Sequence, residues 1–253
     1  MGGRNNGHFR DPRIWDIVAN MADNDVAAAG FQNSYDGKII SDEEVKQNVE
    51  NVYIKLESYL SEKETVALEI GCSSGLTMYR ISPYCKHYIG TDMAPVNLEK
   101  NKTKNAERGI ENIELVQCTA DEIGQFEGRD VNLVIMNSVI QYFENEEYLD
   151  RVIETSIRIM ENGGVIFIGD IRDEDLKEEF ESSVAKYKAE HGIKEKHTKW
   201  TDELFLKRSY FDKWLDHPHV SDVKTGDKLG DIMNEFRQYR FDGMIVVKPT
   251  QNI

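Results

Sequence analysis

Strand-like and helix-like segments alternate over the middle of this 253-residue chain, and this alternation limits the possible folds more than any other feature. Because strands joined through helices lie parallel and need right-handed crossovers, the pattern predicts an α/β fold with helices on both faces of a mostly parallel sheet. Two further strand candidates near the C-terminus bring the expected number of strands to seven. The predicted strands are 66–70, 87–91, 113–117, 131–136, 165–169, 219–223 and 242–247, and the predicted helices between them are 94–108, 121–125 and 145–160.

The chain before the first strand is expected to form a lid and a helix. Residues 1–40 show little periodicity but contain the aromatic residues Phe9, Trp15, Phe31 and Tyr35, too many for a simple tail. We therefore expect residues 1–40 to pack on the core as a lid. A Ser-Asp-Glu-Glu capping box at 41–44 predicts the start of a helix of about five turns, where the central core at 41–170 begins.

The region after the fifth strand differs in composition from the core. Residues 171–218 are rich in Glu, Lys and His and include helical patches at 176–187 and 202–214, so we expect an insertion that caps the substrate site. Residues 219–253 carry the last two strands. No repeat or low-complexity linker marks a boundary, and residues 1–253 are expected to form a single domain.

Composition and charge restrict the class of protein. The chain is 40% hydrophobic and 30% charged with 5 Pro, which is typical of a globular protein. It has no apolar run long enough for a membrane span and no signal-peptide core, so a cytoplasmic location without membrane partners is expected. The three cysteines, Cys72, Cys85 and Cys118, are unclustered and are expected to be buried thiols. The net charge of −15 argues against nucleic acid and favours a cationic small molecule or peptide as substrate, with the oligomeric state left open.

Polar and glycine residues follow the predicted strands at the edge where open parallel sheets bind ligands. The stretch Glu69-Ile70-Gly71-Cys72-Ser73-Ser74-Gly75 joins the first strand to a helix, and its glycines allow a tight turn and a close approach to a ligand. An acid at the end of the second strand holds a ribose diol, and an acid after the third strand would accept from an adenine amino group. The predicted cofactor-binding residues are Glu69, Gly71, Cys72, Ser73, Gly75, Asp92, Met93, Asp121, Asn137 and Ser138.

A dinucleotide cofactor must be compared with S-adenosylmethionine, because NAD enzymes share the strand, the glycine loop and the distal acid. The dinucleotide fingerprint needs G-x-G-x-x-G, whereas the second and third positions here are Ser73 and Leu76. Ser73 would crowd a pyrophosphate, and S-adenosylmethionine has none. The loop therefore favours S-adenosylmethionine, and the remaining alternative is a simple turn with solvated acids.

Several short motifs are distributed over most of the chain. They are Asn33-Ser34-Tyr35-Asp36-Gly37, Leu68-Glu69-Ile70-Gly71-Cys72, Gly90-Thr91-Asp92, Asn137-Ser138-Val139-Ile140-Gln141-Tyr142-Phe143, Gly169-Asp170-Ile171-Arg172, Glu203-Leu204-Phe205 and Arg237-Gln238-Tyr239-Arg240-Phe241-Asp242. In these motifs the chain resembles the N-methyltransferase domains of nonribosomal peptide synthetases and their free-standing relatives. The Gln-Tyr-Phe and Gly-Asp-Ile-Arg segments are more specific than the glycine loop, and Ser73 departs from the glycine usual in that family.

The resemblance implies a Rossmann-like class I methyltransferase that uses S-adenosylmethionine and releases S-adenosylhomocysteine. It implies N-methylation of an amino acid-derived or peptide natural product, here without adenylation or carrier segments. Among free-standing enzymes, the chain looks like the N-terminal arginine dimethyltransferases of azole-containing peptides such as plantazolicin. O- or C-methylation of a small metabolite remains an alternative, because a fold does not fix the acceptor. A cofactor-binding module without catalysis is the alternative from another class.

On the acceptor side, polar residues after the fourth and fifth strands are the candidates. Asp170 and Asp173 are expected to orient a cationic acceptor, with Gln141, Tyr142 and Arg172 as polar walls. The predicted catalytic residues are Asp170, Gln141 and Tyr142, and the predicted substrate-binding residues are Asp170, Arg172 and Asp173. Asp173 as a helix start and Arg172 as the ion-pair partner of one of these acids are the structural alternatives.

Two further sets of residues complete the predicted site. Tyr35 is expected to cover the methionine end of the cofactor, with a core aromatic as the alternative. His191, His197, His217 and His219 have no third ligand nearby in the sequence, so no metal site is predicted.

Overall fold

The computed structural model describes residues 11–194 and 203–250, and a single sheet runs through the part that it describes. The main path of the sheet has the order β3-β2-β1-β4-β5-β8-β7. Strands β1 to β5 pair in parallel, whereas β8 is antiparallel to both β5 and β7. The predicted class is confirmed. The strands are β1 Ser61–Ile70, β2 Cys85–Asp92, β3 Ile113–Gln117, β4 Leu133–Asn137, β5 Gly164–Asp173, β6 Phe205–Leu206, β7 Val220–Asp227 and β8 Arg240–Val247.

The helices lie between the strands, as the alternation predicts. The predicted capping box starts α3: the hydroxyl of Ser41 accepts from the backbone N–H of Glu44, and the Glu44 carboxylate accepts from the backbone N–H of Ser41. The helices are α1 Pro12–Met21, α2 Asp25–Ala28, α3 Asp42–Leu56, α4 Leu76–Ile81, α5 Pro95–Arg108, α6 Glu146–Ile159, α7 Lys177–Glu190 and α8 Glu235–Tyr239, and the longest 3₁₀ segments are Ala120–Phe126 and Arg208–Asp216.

The hydrophobic core has two layers, one on each face of the sheet. Alternate residues of β1 enter opposite layers: Leu68 packs in the layer under α6, and Ala67 packs in the layer under α3 and α4. Because the central strands are covered on both faces, their sequences are continuous apolar runs rather than alternating apolar and polar residues. The glycine loop therefore follows a rigid strand.

Three segments differ from the predicted elements. The predicted helix 202–214 starts outside the described residues, and its described part contains the short strand β6 before the 3₁₀ segment Arg208–Asp216. Strand β6 forms because Phe205 and Leu206 pair in parallel with the last residues of β5. Strand β5 runs four residues past the predicted end at 169, since its polar end is buried by ion pairs. Residues 11–40 contain α1 and α2, which were not predicted as helices; α2 has only four residues, and Ala19 is the fully buried residue of α1.

The described part of the chain has no helix that is both long and apolar enough to cross a membrane.

Candidate active site

The loop after β1 requires glycine at two positions. Gly71 and Gly75 have φ values of 77° and 90°, in the left-handed region. A Cβ on Gly71 would lie 2.7 Å from a methyl carbon of Val139, and a Cβ on Gly75 would lie 2.6 Å from the ring of Tyr79. Side chains would therefore be strained and also obstructed at both positions.

Ser73 adopts the left-handed conformation without being glycine, with φ of 44°. Its backbone N–H donates to Asp92 Oδ2 at 2.8 Å, and its carbonyl accepts from Asn101 Nδ2 at 2.8 Å. Its hydroxyl accepts from Asn97 Nδ2 at 3.2 Å. These contacts hold the residue in a conformation that serine by itself disfavours.

Two cavities meet at this loop. The β2-side cavity has a volume of about 220 Å³ and lies beyond the ends of β2 and β3. The β5-side cavity has a volume of about 360 Å³ and lies beyond the ends of β1, β4 and β5. The residues that line both cavities are Ala29, Gly71, Ser73, Ser138 and Tyr142.

Asp92 and Met93 line the β2-side cavity, as predicted for a ribose subsite. The Asp92 carboxylate is 8% exposed and accepts from the backbone N–H groups of Ser73 and Ala94, both at 2.8 Å. Burial raises the pKa of Asp92, although these backbone N–H groups partly oppose the shift. The acid is therefore held in a fixed orientation at the strand end.

Asp121 does not line either of these cavities. Its carboxylate accepts from the hydroxyl of Tyr148 at 2.8 Å, and it is Tyr148 that lines the β2-side cavity. The hydroxyl of Tyr148 also lowers the pKa of Asp121. The predicted contact from Asp121 to an adenine remains a prediction.

Glu69 is a buried acid in the wall of the β5-side cavity, next to Cys72. It is 3% exposed, and the hydroxyl of Tyr88 donates to its Oε2 at 2.9 Å. Burial raises the pKa of Glu69 to about 8, the Tyr88 hydrogen bond opposes the rise, and the charge of Asp92 adds to it. Among the described residues, no basic group forms an ion pair with Glu69.

We expect the variant Glu69→Gln to gain stability relative to the parent protein as the pH rises from about 5 to about 8. The folded state holds a proton on Glu69 up to a pKa of about 8, whereas the unfolded chain releases it near the ordinary value of 4.5. The parent therefore loses stability over this window, and glutamine does not titrate. Urea unfolding of both ligand-free proteins at several pH values measures the difference, and a constant difference would contradict this assignment.

Asp170 lies fully buried in the wall of the β5-side cavity, with φ of 64°. Its Oδ2 accepts from Arg240 Nη1 at 2.6 Å and from the hydroxyl of Ser138 at 2.8 Å, and Lys228 Nζ lies 3.5 Å from Oδ1. Burial by itself would raise the pKa of Asp170, but the charges of Arg240 and Lys228 outweigh it and hold the pKa below the ordinary value. The carboxylate is therefore ionised and a weak base.

The ion pairs of Asp170 continue into a buried network. Arg240 Nη2 donates to Glu235 at 2.6 Å, and Glu235 accepts from the backbone N–H of Ser34 at 2.9 Å. In the other direction, Lys228 also lies 3.4 Å from Asp242. The network thereby fastens the segment around Ser34, which lines the β5-side cavity, to the end of β5.

Arg172 and Asp173 have different environments. Arg172 lines the β5-side cavity and forms an ion pair with Glu203 rather than with either of the acids considered from the sequence. Asp173 does not line either cavity. Its carboxylate pairs with Arg208 at 3.0 Å and accepts from the backbone N–H of Asp175, at the start of a 3₁₀ turn. The structure thus brings Arg172 to the cavity but not Asp173.

Buried polar atoms without a hydrogen-bond partner concentrate at one wall of the β5-side cavity. Asn137 Oδ1, Gln141 Oε1 and Asp170 Oδ1 have no hydrogen-bond partner. Gln141 donates from Nε2 to the carbonyl of Ser138, the residue whose hydroxyl donates to Asp170. This wall consequently offers acceptors to a ligand that carries donors.

The two tyrosines of the predicted site lie in different places. Tyr142 lines both cavities, its ring lies 5.0 Å from that of Trp15, and burial raises its pKa. Tyr35 lines neither cavity: its hydroxyl is 2.9 Å from that of Ser183, and its ring packs against Tyr187 at 5.4 Å. Tyr35 thus anchors its segment to α7.

The histidines within 11–194 and 203–250 do not line either cavity. His191 stacks on Tyr187, and His217 lies 3.4 Å from Glu154. His197 is outside the described residues. Within 11–194 and 203–250, no group of three potential ligands is close enough together to hold a metal.

Several cavity residues were not among the predicted site residues. Glu203 and Arg240 lie in the motifs of the resemblance, which could have identified them. Trp15, Asn97 and Lys188 carry no sequence signal, since each reaches a cavity from a helix whose pattern gives only its apolar face.

A mostly parallel sheet with a glycine turn after β1, an acid at the end of β2 and two adjoining cavities is the arrangement expected of a class I methyltransferase. Residues 61–237 match the family model described as a methyltransferase domain, and the chain belongs to this family. The predicted enzyme class, an S-adenosylmethionine-dependent methyltransferase, is confirmed.

The relatives in sequence include synthases and synthetases that are much longer than this chain. The chain is 30% identical over 240 residues to chondramide synthase cmdD of Chondromyces crocatus, covering 87% of this chain and 6% of that protein. It is 26% identical over 245 residues to the beauvericin nonribosomal cyclodepsipeptide synthetase of Beauveria bassiana, covering 88% of this chain and 7% of that protein. The predicted relation to nonribosomal peptide synthetases is confirmed, and the chain spans less than a tenth of the length of these relatives.

Solved structures share the fold at low identity. N-methyltransferase NodS from Bradyrhizobium japonicum, in complex with S-adenosylhomocysteine, matches with a TM-score of 0.60 and 14% identity, covering 93% of this chain and 97% of that one. Magnesium protoporphyrin IX methyltransferase from Synechocystis, with S-adenosylhomocysteine bound, matches with a TM-score of 0.63 and 12% identity, covering 96% and 98%.

Proposed function

We propose that this chain transfers a methyl group from S-adenosylmethionine to the nitrogen of an amino acid-derived or peptide amine. The observation that carries the proposal is the set of buried acceptors without hydrogen-bond partners at one wall of the β5-side cavity, Asn137 Oδ1, Gln141 Oε1 and Asp170 Oδ1. Asp170 Oδ1 also has Lys228 at 3.5 Å, and Arg240 Nε is a buried donor without a hydrogen-bond partner in the same cavity wall. An amine offers several N–H donors to these oxygens, whereas a hydroxyl offers one and a carbon acceptor offers none. The relation to peptide synthetases supports the same class of acceptor.

The two cavities fit the two parts of the cofactor. Asp92 and Met93 would hold the ribose in the β2-side cavity, with Ala120 and Tyr148 beside the base. The turn at Gly71 would let the methionine part pass into the β5-side cavity, where Glu69 is an acid without a basic partner among the described residues and suits an ammonium group. When bound, the cofactor supplies a methyl group activated by a sulfonium.

The protein then has to position a neutral amine for in-line attack. Alignment of the reacting atoms supplies much of the rate in such a displacement. Burial favours the neutral form of an amine, and Gln141 and Asn137 would orient it through hydrogen bonds. Asp170, whose pKa is lowered, would orient the amine and stabilise the positive charge that develops on nitrogen, rather than accept the proton itself.

The charged residues of the β5-side cavity restrict the class of acceptor further. Lys188, Arg172 and Arg240 line the β5-side cavity together with Glu69, Asp170 and Glu203, so neither sign of charge dominates its wall. This balance is compatible with a zwitterionic or peptide acceptor, and the overall charge of −15 favours the approach of a cationic one. The arginine-starting azole peptide expected from the resemblance fits this class. Lys188, in α7, and Glu203 would lie against the acceptor.

Calorimetry with S-adenosylmethionine, followed by mass spectrometry of reactions with acceptor pairs, tests the proposal. Each pair has an amine and the matched alcohol on the same scaffold: amino acid amides, short peptides and peptides with N-terminal arginine. We expect methylation of the amines. Preferred methylation of the alcohols would overturn the proposal in favour of O-methylation, and tight cofactor binding without turnover on any member would favour a binding module.

The cofactor subsite is tested separately by Asp92→Ala. We expect this variant to bind S-adenosylhomocysteine more than about tenfold more weakly, because a charge-assisted hydrogen bond to the ribose is lost. The variant Asp173→Ala serves as a comparison, since Asp173 is also a buried acid but lines neither cavity. Unaltered affinity of Asp92→Ala would contradict the assigned ribose subsite.

A further inference from the structure

Asn97, in the first turn of α5, has a buried side-chain amide whose nitrogen has hydrogen-bond partners and whose oxygen has none. The residue is 2% exposed and lines the β2-side cavity beside Ser73 and Asp92. Its Nδ2 donates to the hydroxyl of Ser73 at 3.2 Å and to the carbonyl of Ala28 at 3.4 Å, whereas its Oδ1 has no hydrogen-bond partner. Because a carbonyl can only accept, the contact with Ala28 fixes which end of the amide is nitrogen.

The neighbouring acid already has partners. Each oxygen of Asp92 accepts one backbone N–H, from Ala94 at Oδ1 and from Ser73 at Oδ2. A ribose carries two adjacent hydroxyl donors. If Asp92 were the sole acceptor in the subsite, both hydroxyls would have to use the lone pairs that its two backbone N–H partners leave open. Asn97, whose Oδ1 is an acceptor without a hydrogen-bond partner, lines the same cavity. Native proteins leave few buried acceptors without partners, and a ligand hydroxyl is the group that this position suits.

We propose that Asn97 is a cofactor-binding residue whose Oδ1 accepts a hydrogen bond from one ribose hydroxyl, while Asp92 accepts from the other. This inference rests on the proposed function, because it requires an adenosyl cofactor in the β2-side cavity. The same amide holds the hydroxyl of Ser73, the residue that departs from the family's glycine. Asn97 therefore connects the unusual loop residue with the ribose subsite.

The test compares ligands that lack one hydroxyl at a time. Calorimetry measures the affinity of the full chain and of Asn97→Leu for S-adenosylhomocysteine, its 2′-deoxy form and its 3′-deoxy form. We expect the parent protein to bind each deoxy ligand about tenfold more weakly than S-adenosylhomocysteine, because a buried acceptor loses its partner. In Asn97→Leu, the penalty should disappear for one deoxy ligand and remain for the other, which Asp92 binds.

Asn101→Leu is the matched control. Asn101 is fully buried on the next turn of α5 and donates to the carbonyl of Ser73 at 2.8 Å, but it does not line the cavity. Its loss should weaken all three ligands by the same factor. The same uniform loss in Asn97→Leu would show that Asn97 only shapes the loop, and would overturn the proposal.

Two further measurements keep the test decisive. Asn97→Ala is measured in parallel, so that a folding defect caused by the bulk of leucine does not decide the result, and the same loss of one penalty is expected. If the parent protein binds S-adenosylhomocysteine but does not discriminate against either deoxy ligand, the proposal for Asn97 fails while the proposed function stands. If the parent protein binds none of the three ligands, the proposed function fails as well.

Discussion

Replacing Arg240 by methionine should lower the free energy of unfolding by about 3–5 kcal/mol. Arg240 is 7% exposed and donates from its two terminal nitrogens to Asp170 and Glu235, both at 2.6 Å. Methionine fills much of the same volume but leaves two buried acids without the cation between them. Asp170 would retain Lys228, whereas Glu235 would retain, within the described part of the chain, its hydrogen bonds with Ser34.

The size of the effect follows from burial rather than from the number of ion pairs. A buried charge that loses its partner keeps the cost of leaving water, whereas an exposed charge returns to solvent. Arg129→Met is the matched control, because Arg129 pairs with Glu114 at 2.6 Å but its side chain is 42% exposed. Urea unfolding should give a change within about 1 kcal/mol for the control. Equal effects of the two substitutions would show that the network does not stabilise the fold.

The regular part of the fold was predictable because its signals are local. The capping box at Ser41, the apolar run of β1 and the glycines of the loop each lie within a few residues of the element that they define. Strand-end positions then placed Asp92 and Ser138 at the correct edge of the sheet, since parallel strands bring their carboxyl ends together. Local chemistry and sheet geometry were sufficient for these residues.

The rest of the site depends on contacts between distant residues. Ser34 and Glu235 are 201 positions apart, and no local pattern indicates that they bond. The orientations of Asp170 and Asp173 could not be predicted from the sequence either, although the two residues are only three positions apart. The register between β5 and β8 shifts between Ile168 and Ile171, and Asp170 has a positive φ. From the sequence, either acid could have faced the ligand. The structure turns Asp170 into the cavity and pairs Asp173 with Arg208.

The different positions of Asp170 and Asp173 allow the role of Asp170 in catalysis to be tested. Asp170→Asn should lower kcat by about a hundredfold or more, because the amide keeps the shape but removes the charge that would stabilise a developing cation on the acceptor. The affinity for S-adenosylhomocysteine should fall much less than kcat, since Asp170 does not line the β2-side cavity, where the ribose and the base would bind. Asparagine can still accept from Ser138 and Arg240, and Arg240 and Lys228 keep Glu235 and Asp242 as partners, so the variant should fold with a lower melting temperature.

Asp173→Asn provides the control on the same strand. It is the same substitution of a buried acid, at 3% exposure, but its partners are Arg208 and the backbone of Asp175 rather than a cavity. We expect its kcat to stay within about threefold of the parent value while its melting temperature falls, because a buried carboxylate loses its charge beside the partly exposed Arg208 without loss of a substrate contact. Steady-state kinetics and thermal unfolding of both variants separate the two roles. A kcat that falls equally in both variants would mean that the end of β5 acts through its structure alone, and normal kinetics for Asp170→Asn would remove Asp170 from the site.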